Sequence, residues 1–303
     1  MMLINTLISL IANQLAKKFE DTTLGQQYAW WIVQAITQKS ELELITTQEI
    51  EWTDAQQAAL DDALDKLINH NMPLQYLLGS TPFVGLDILV RPPTLIPRPE
   101  TEEICVNLIE QLQVARNTPL TILDLCTGSG CIALALADAL PKSRVYGTDI
   151  SQSALDLAAE NSKHNQISNT TFLYSDLFNE IPKDLTFDLI ISNPPYIPEK
   201  DWAGLDPSVS QWEDKNALIA PDGGMALIKK IIDAAPSYLK PNELLEKNSI
   251  PQLLIEIDAT QGAAVSTYLK NHGYTHVTII KDLEGKDRLA CGRIVHVAST
   301  THS

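Results

Sequence analysis

The chain has 303 residues, 45% of them hydrophobic and 20% charged, with 22 Lys+Arg against 38 Asp+Glu and a formal net charge of -16. This composition excludes disordered, collagen-like and coiled-coil classes, and the length is ample for two domains. No apolar run reaches the roughly 18 residues of a membrane span, and the negative field opposes a phosphate polymer, so neither a membrane nor direct nucleic acid is an expected partner.

The amino terminus lacks a basic start and interrupts its apolar positions with Asn5, Thr6, Ser9 and Asn13, unlike a secretory signal. Its first arginine is Arg91, which argues against a mitochondrial presequence, and a reducing cytoplasm is the expected location. Leu3, Leu7, Ile11 and Leu15, with Ile4 and Ile8, recur at helical spacing. A second helical pattern holds Leu24, Tyr28, Trp31, Ala35 and Ile36. A third begins at the capping box Thr53-Asp54-Ala55-Gln56 and runs through Leu60, Leu64, Leu67 and Ile68. Residues 1–72 therefore read as a small helical bundle that recognises a partner or caps the next domain. Pro73, Pro82, Pro92, Pro93 and Pro97 then surround the extended stretch Phe83–Val90, which predicts a β-hairpin linker over 73–99.

From residue 100 to 298 strands and helices alternate. Strand candidates are Thr121–Cys126, Arg144–Asp149, Thr170–Tyr174, Phe187–Ser192, Gln252–Ile257, His276–Lys281 and Leu289–Val295. Helical patterns lie between them at Ile132–Leu140, Ser153–His164, Met225–Leu239 and Ala263–Asn271. The rhythm predicts an α/β fold with a mostly parallel, Rossmann-like sheet, helices on both faces and an antiparallel last strand. Ligands of such a sheet bind at the carboxyl ends of its strands.

Two segments carry chemistry. Gly128 and Gly130 follow the first strand and permit a tight turn in which a ligand touches backbone amides. Asp149 ends the next strand, where a carboxylate can accept ribose hydroxyls, and Ser175-Asp176 ends the third. A nucleoside cofactor follows, but Gly128-x-Gly130-x-x-Ala133 also fits a nicotinamide dinucleotide. Asn193-Pro194-Pro195-Tyr196, directly after a strand, is the sharper signal. The side-chain oxygen of Asn193 and the carbonyl of Pro194 make two acceptors for one planar NH2 group, and Tyr196 can cover its flat face. Such a clamp suits an amide or exocyclic amine presented to a reactive methyl.

Together these segments resemble the class I S-adenosylmethionine-dependent methyltransferases that modify planar nitrogens. Pro73–Gly79, Phe83–Leu86, Thr94–Glu102 and Asp282–Arg288 narrow the resemblance to the peptide chain release factor N(5)-glutamine methyltransferases. It spans about residues 70 to 295 and more loosely the helical part. The resemblance implies S-adenosylmethionine as cofactor and, as substrate, the glutamine of the Gly-Gly-Gln motif of release factors. Thr127, Gly128, Ser129, Gly130 and Cys131 would then follow the methionine part of the cofactor, Asp149 its ribose, and Asp176 and Leu177 its adenine. Asn193, Pro194, Pro195 and Tyr196 would bind the glutamine, with Asn193, Pro194 and Tyr196 catalytic and Asn193 also beside the cofactor. Two positions depart from the family pattern: Leu177 stands where some members have a large aromatic, and Trp212-Glu213-Asp214 replaces a commoner Phe-Glu-Pro.

The reaction so implied is in-line displacement by the amide nitrogen, with no metal. Cys105, Cys126, Cys131 and Cys291 lack metal-ligand partners and read as packing residues. His70, His164, His272, His276, His296 and His302 lie outside the motifs and read as surface or packing residues. Arg98 and Glu100 either shape the substrate mouth or form an interdomain ion pair. A monomer is expected. The alternatives are a ribosomal-protein glutamine methyltransferase, a nucleic-acid adenine or guanine amino methyltransferase, a nicotinamide dehydrogenase, and a non-catalytic module that binds release factors.

Overall fold

The structure, a computed structural model, describes residues 2–294. His296, His302 and the expected sheet-domain end at 298 lie outside the described residues, as does Val295 of the last strand candidate. Two compact units are present: residues 2–79 with Asp206–Trp212, and Ser80–Leu205 with residues 213–294.

The first unit comprises β1 (Met2–Leu3), α1 (Ile4–Phe19), α2 (Thr22–Thr37), α3 (Glu41–Thr47), β2 (Glu49–Ile50), α4 (Asp54–Asn69) and α5 (Leu74–Leu78). Helix α1 buries Ile4, Leu7, Ile8, Ile11 and Leu15, the face its spacing predicts. Helix α4 starts at the expected box, Thr53 and Gln56 capping each other. On α2 the helix is where the pattern put it, but its buried face is Gly25, Ala29, Ile32 and Val33. The small residues win that face because α2 lies close on α1: a Cβ on Gly25 would stand 2.8 Å from the Ala12 carbonyl oxygen. Tyr28 and Trp31 stack on each other outside that face, Tyr28 half-buried and Trp31 exposed. Asp206–Trp212 joins this unit through the Trp212 indole, which donates to the His70 carbonyl (2.9 Å).

The second unit begins with the hairpin β3 (Ser80–Phe83) and β4 (Leu86–Leu89), then α6 (Pro99–Leu112), β5 (Thr121–Leu125), α7 (Cys131–Ala139), β6 (Arg144–Asp149) and α8 (Gln152–His164). There follow β7 (Thr170–Tyr174), β8 (Leu189–Ser192) and β9 (Ile197–Pro198). The short α9 (Pro207–Ser210) falls in the segment assigned to the helical unit. The chain then forms β10 (Ile219–Ala220), α10 (Ala226–Ala234), α11 (Glu243–Lys247), β11 (Leu253–Glu256), α12 (Gly262–Asn271), β12 (Tyr274–Lys281) and β13 (Asp287–Ile294).

Seven strands form one sheet in the order β12-β13-β11-β8-β5-β6-β7. β13 is antiparallel to both neighbours and the strands from β11 to β7 pair parallel. The last strand is thus inserted between β12 and β11, and the two edges of the sheet are β12 and β7. Strand β5 is buried on both faces, as parallel strands covered by helices are: Ile122, Leu123, Asp124 and Leu125 are all fully buried. Of the segment expected as a linker, α5 belongs to the helical unit and the hairpin to the sheet unit. Buried Asn161 on α8 ties the hairpin down. Its Oδ1 accepts from the Leu89 amide (2.7 Å), and its Nδ2 donates to the carbonyls of Leu89 and Ser129 (both 3.0 Å). One side chain thus joins the hairpin to the glycine turn after β5. Asn161→Ala should leave these buried groups unpaired and destabilise the sheet unit by about 1–3 kcal/mol in denaturant unfolding; an unchanged midpoint would refute that role.

Candidate active site

Three strands bring the chemistry together. Leu125 of β5 lies opposite Thr148 of β6 and Ser192 of β8. The next residues, Cys126, Asp149 and Asn193, therefore leave the sheet side by side. All three line a cavity of about 690 Å³, together with Gly128, Ser175, Asp176, Leu177 and Pro195. Pro93–Leu95, Asp214, Asn216, Ala217 and Ile219 complete much of its wall; Thr94, Leu95 and Asp214 lie in segments the family resemblance singled out, but none of these residues was expected at the site.

The glycine turn is built on Asp124. This carboxylate is fully buried; its Oδ2 accepts from the Thr127 hydroxyl (2.5 Å) and the Ala133 amide (3.1 Å) at the start of α7. Its Oδ1 has no partner, and burial pushes the carboxyl up to about 7. Gly128 (φ 55°) directs its amide to Asp149 Oδ2 (2.9 Å), and a Cβ there would meet nothing within 4 Å, so the turn opens onto the cavity. Gly130 (φ 83°) is required for a different reason: a Cβ would stand 2.9 Å from that of Ala158. Of the glycine turn only Gly128 lines the cavity; Thr127, Ser129, Gly130 and Cys131 are outside the lining.

Asp149 also accepts from the Ser151 amide through Oδ1 (2.9 Å), which aims the carboxylate while burial raises it above the usual carboxylate range. Cys126 (φ 65°) and Leu177 (φ 51°) occupy the left-handed region, rare for residues with a side chain, and both face the cavity. The described residues lining the cavity include Asp149, Asp176 and Asp214 and no Lys, Arg or His. That set of carboxylates fits a cationic sulfonium and ammonium ligand such as S-adenosylmethionine.

At the β8 end, Asn193 Nδ2 donates to Thr101 Oγ1 (3.1 Å), and the Thr101 hydroxyl donates to Glu256 Oε2 (2.7 Å). The Tyr196 hydroxyl donates to Glu256 Oε1 (3.2 Å). Pro194 and Tyr196 lie outside the cavity lining, and the Tyr196 carbonyl is held by Gln261 Nε2 (3.0 Å). Buried Glu256 is pushed up to about 7 by burial, against the pull of Thr101, Tyr196 and Arg288. Thr101 and Glu256 escaped sequence reasoning. A readable sign was a lone acid closing an apolar strand, Leu253–Glu256, as Asp149 closes β6.

Arg98 pairs with Glu213, whose side chain is fully buried. Both lie in the sheet unit, so this is an ion pair within one unit and not between two. With the Asp214 amide donating to the Pro93 carbonyl (2.8 Å), it fastens two stretches of cavity wall to each other. His164 bonds Asp87, His70 and His272 lie near Asp65 and Asp233, and His276 is exposed, all away from the cavity. Among the described residues no group of three or more His, Cys, Asp or Glu could hold a metal, and no helix is long and apolar enough to cross a membrane.

The sheet order, the antiparallel β13 and the acidic cavity at the strand ends define a class I methyltransferase fold. The fold is shared with the catalytic domain of hMettl16 solved with a MAT2A 3'UTR hairpin, at TM-score 0.55, 16% identity, 82% of this chain and 85% of that one. Residues 105–205 match the Methyltransferase small domain and residues 8–79 the PrmC N-terminal domain. The chain belongs to the release factor glutamine methyltransferases: it is 32% identical to the protein of that name from Flavobacterium psychrophilum, over 95% of this chain and 98% of the other. With the one from Salmonella typhimurium it shares 34% identity, over 93% and 96%. It is an S-adenosylmethionine-dependent glutamine methyltransferase.

Asp124 binds its proton more tightly in the folded chain than in the unfolded one, so its contribution to stability falls as pH rises from the ordinary carboxylate range through about 7. Asp124→Asn keeps both accepted hydrogen bonds and removes that titration. The variant's melting temperature should gain on wild type between about pH 5 and about pH 8; a constant difference would contradict the upward shift.

Proposed function

We propose that the enzyme methylates the side-chain amide nitrogen of the glutamine in the Gly-Gly-Gln motif of peptide chain release factors. The observation that carries this reading is the acidic cavity with Asn193 on its wall, level with Asp149 and the glycine turn. When bound there, S-adenosylmethionine supplies an electrophilic methyl group. Asp149 holds two ribose hydroxyls, for which its oxygens keep lone pairs beyond the Gly128 and Ser151 amides. Asp176 and Leu177 flank the adenine, Leu177 giving a smaller cover than an aromatic ring. The turn from Thr127 to Cys131 follows the methionine part.

Asn193 Oδ1 and the Pro194 carbonyl accept the two amide hydrogens of the glutamine, and Pro195 and Tyr196 fix the backbone that carries those acceptors. An amide nitrogen is a poor nucleophile because its lone pair is delocalised. Holding it close to and in line with the methyl supplies the rate. The new N–C bond forms as the S–C bond breaks, and the nitrogen, briefly cationic, is then acidic enough to lose its proton to water. The helical unit recognises the body of the release factor, in line with its match to the PrmC N-terminal domain. The acidic chain suits a substrate loop that is basic because it enters ribosomal RNA, and a cytoplasmic setting follows from that partner.

Methyl transfer from labelled S-adenosylmethionine tests this. Label should appear on a release factor carrying Gln in its Gly-Gly-Gln loop and not on the matched Ala protein. Label on a ribosomal protein or nucleic acid instead would overturn the substrate. Asn193→Ala should slow turnover on the order of 10²-fold while still binding cofactor; near-normal turnover in a folded variant would remove Asn193 from the mechanism. Asp149→Ala should weaken cofactor binding about tenfold or more in titration calorimetry, on the scale of lost charge-assisted hydrogen bonds.

A further inference from the structure

We propose that Thr101 and Glu256 are positioning residues that set which way the Asn193 amide faces. Deepening the functional reading above, the inference rests on Asn193 being the acceptor for the substrate glutamine.

A threonine hydroxyl has one hydrogen, and Glu256 has none once it is ionised, which burial delays until about pH 7. Thr101 gives its hydrogen to Glu256 Oε2 at 2.7 Å, in a buried bond. Its oxygen can then only accept, and the group it accepts from is Asn193 Nδ2 at 3.1 Å. With the nitrogen committed inward, Asn193 Oδ1 is left for the cavity, as an acceptor. Without Thr101 the two ends of the amide are nearly equal in shape, and a half-turn would offer NH2 to the substrate's own NH2. Donor would face donor, and the glutamine would not be held.

The fold places these residues for the task. Ile255 of β11 pairs with Ser192 of β8, so Glu256 and Asn193 leave adjacent parallel strands at one level. Thr101 sits in the first turn of α6, which Pro99 opens. Glu256 also accepts from Tyr196, so one buried carboxylate steadies both ends of the Asn193–Tyr196 segment. Position within the first turn of a helix would by itself explain a structural threonine. It would not explain a hydrogen-bond polarity that ends at Asn193.

The test uses the full-length enzyme, a release factor and S-adenosylmethionine. Thr101→Val keeps the shape and removes the hydroxyl, and it should lower kcat on the order of 10²-fold. Cofactor affinity should change little, while the melting temperature should fall by a few degrees because buried Glu256 loses a donor. Thr101→Ser restores the hydroxyl and should recover turnover to within about threefold of wild type. In an Asn193→Ala background, adding Thr101→Val should cost nothing further, because the residue acts only through Asn193. A full additional loss in that background would overturn the proposal, as would Thr101→Val turning over at the wild-type rate. If Thr101→Val does not fold, Thr101→Cys, a poor hydrogen-bond donor of similar size, takes its place in the same cycle. A wild-type enzyme that labels no glutamine overturns the underlying reading itself, and does so before any variant is compared.

Discussion

The site depends on β5 being paired in parallel on both sides and in register with β6 and β8. Because Leu125 is level with Thr148 and Ser192, three unrelated stretches of sequence turn out of the sheet at one height. The central strand is buried on both faces, so neither that height nor the order of the strands can drift without opening the core. A displacement in line needs reacting atoms held at contact distance, and a sheet of this kind supplies such fixity before any ligand arrives.

Electrostatics then select the ligand. Among the described residues, three aspartates and no Lys, Arg or His line the cavity, in a chain with a formal net charge of -16. A cofactor carrying sulfonium and ammonium charge is drawn to such a surface, whereas phosphate is not. Beneath the surface, Asp124 and Glu256 are carboxyls without a charged hydrogen-bond partner, each receiving neutral donors inside the fold. Asp124 stands one residue before the end of β5 and Glu256 at the end of β11, and each holds a loop. Burying an acid costs stability, and the return here is a loop whose donors and acceptors have fixed directions.

Much of this was legible in the sequence. The seven strands and four of the covering helices were visible as apolar periodicity, and Asp149, Gly128 and Asn193 could be read from their places just after strands. What escaped has physical reasons. Helix α6 follows a proline-rich stretch whose extended look masked Pro99 as a first helical residue, with Glu100 and Glu102 in the first turn. The buried face of α2 was misjudged because large aromatics outrank Ala29 on any hydropathy scale, although close helix packing favours the small residue. Thr101 and Glu256 lie 155 positions apart, one in the first turn of α6 and the other at the end of β11, and meet only in the tertiary fold, which periodicity cannot register. The wall from Asp214 to Ile219 is one short 3-10 turn and the start of β10, too brief to leave a periodic signal, and is fixed by tertiary bonds such as that between Arg98 and Glu213.

Assignment of Asp206–Trp212 to the helical unit bears on how the protein is made. The Trp212 indole and the His70 carbonyl are 142 positions apart, with most of the parallel strands between them. Closing so long a loop is only modestly costlier than closing a short one, but it cannot happen before the residues exist. On a translating ribosome α1–α5 emerge first, yet their last partner leaves the exit tunnel only after β9. Completion of the helical unit is therefore timed by synthesis of the sheet unit, and cutting the gene between the two would yield a first fragment lacking one of its own pieces.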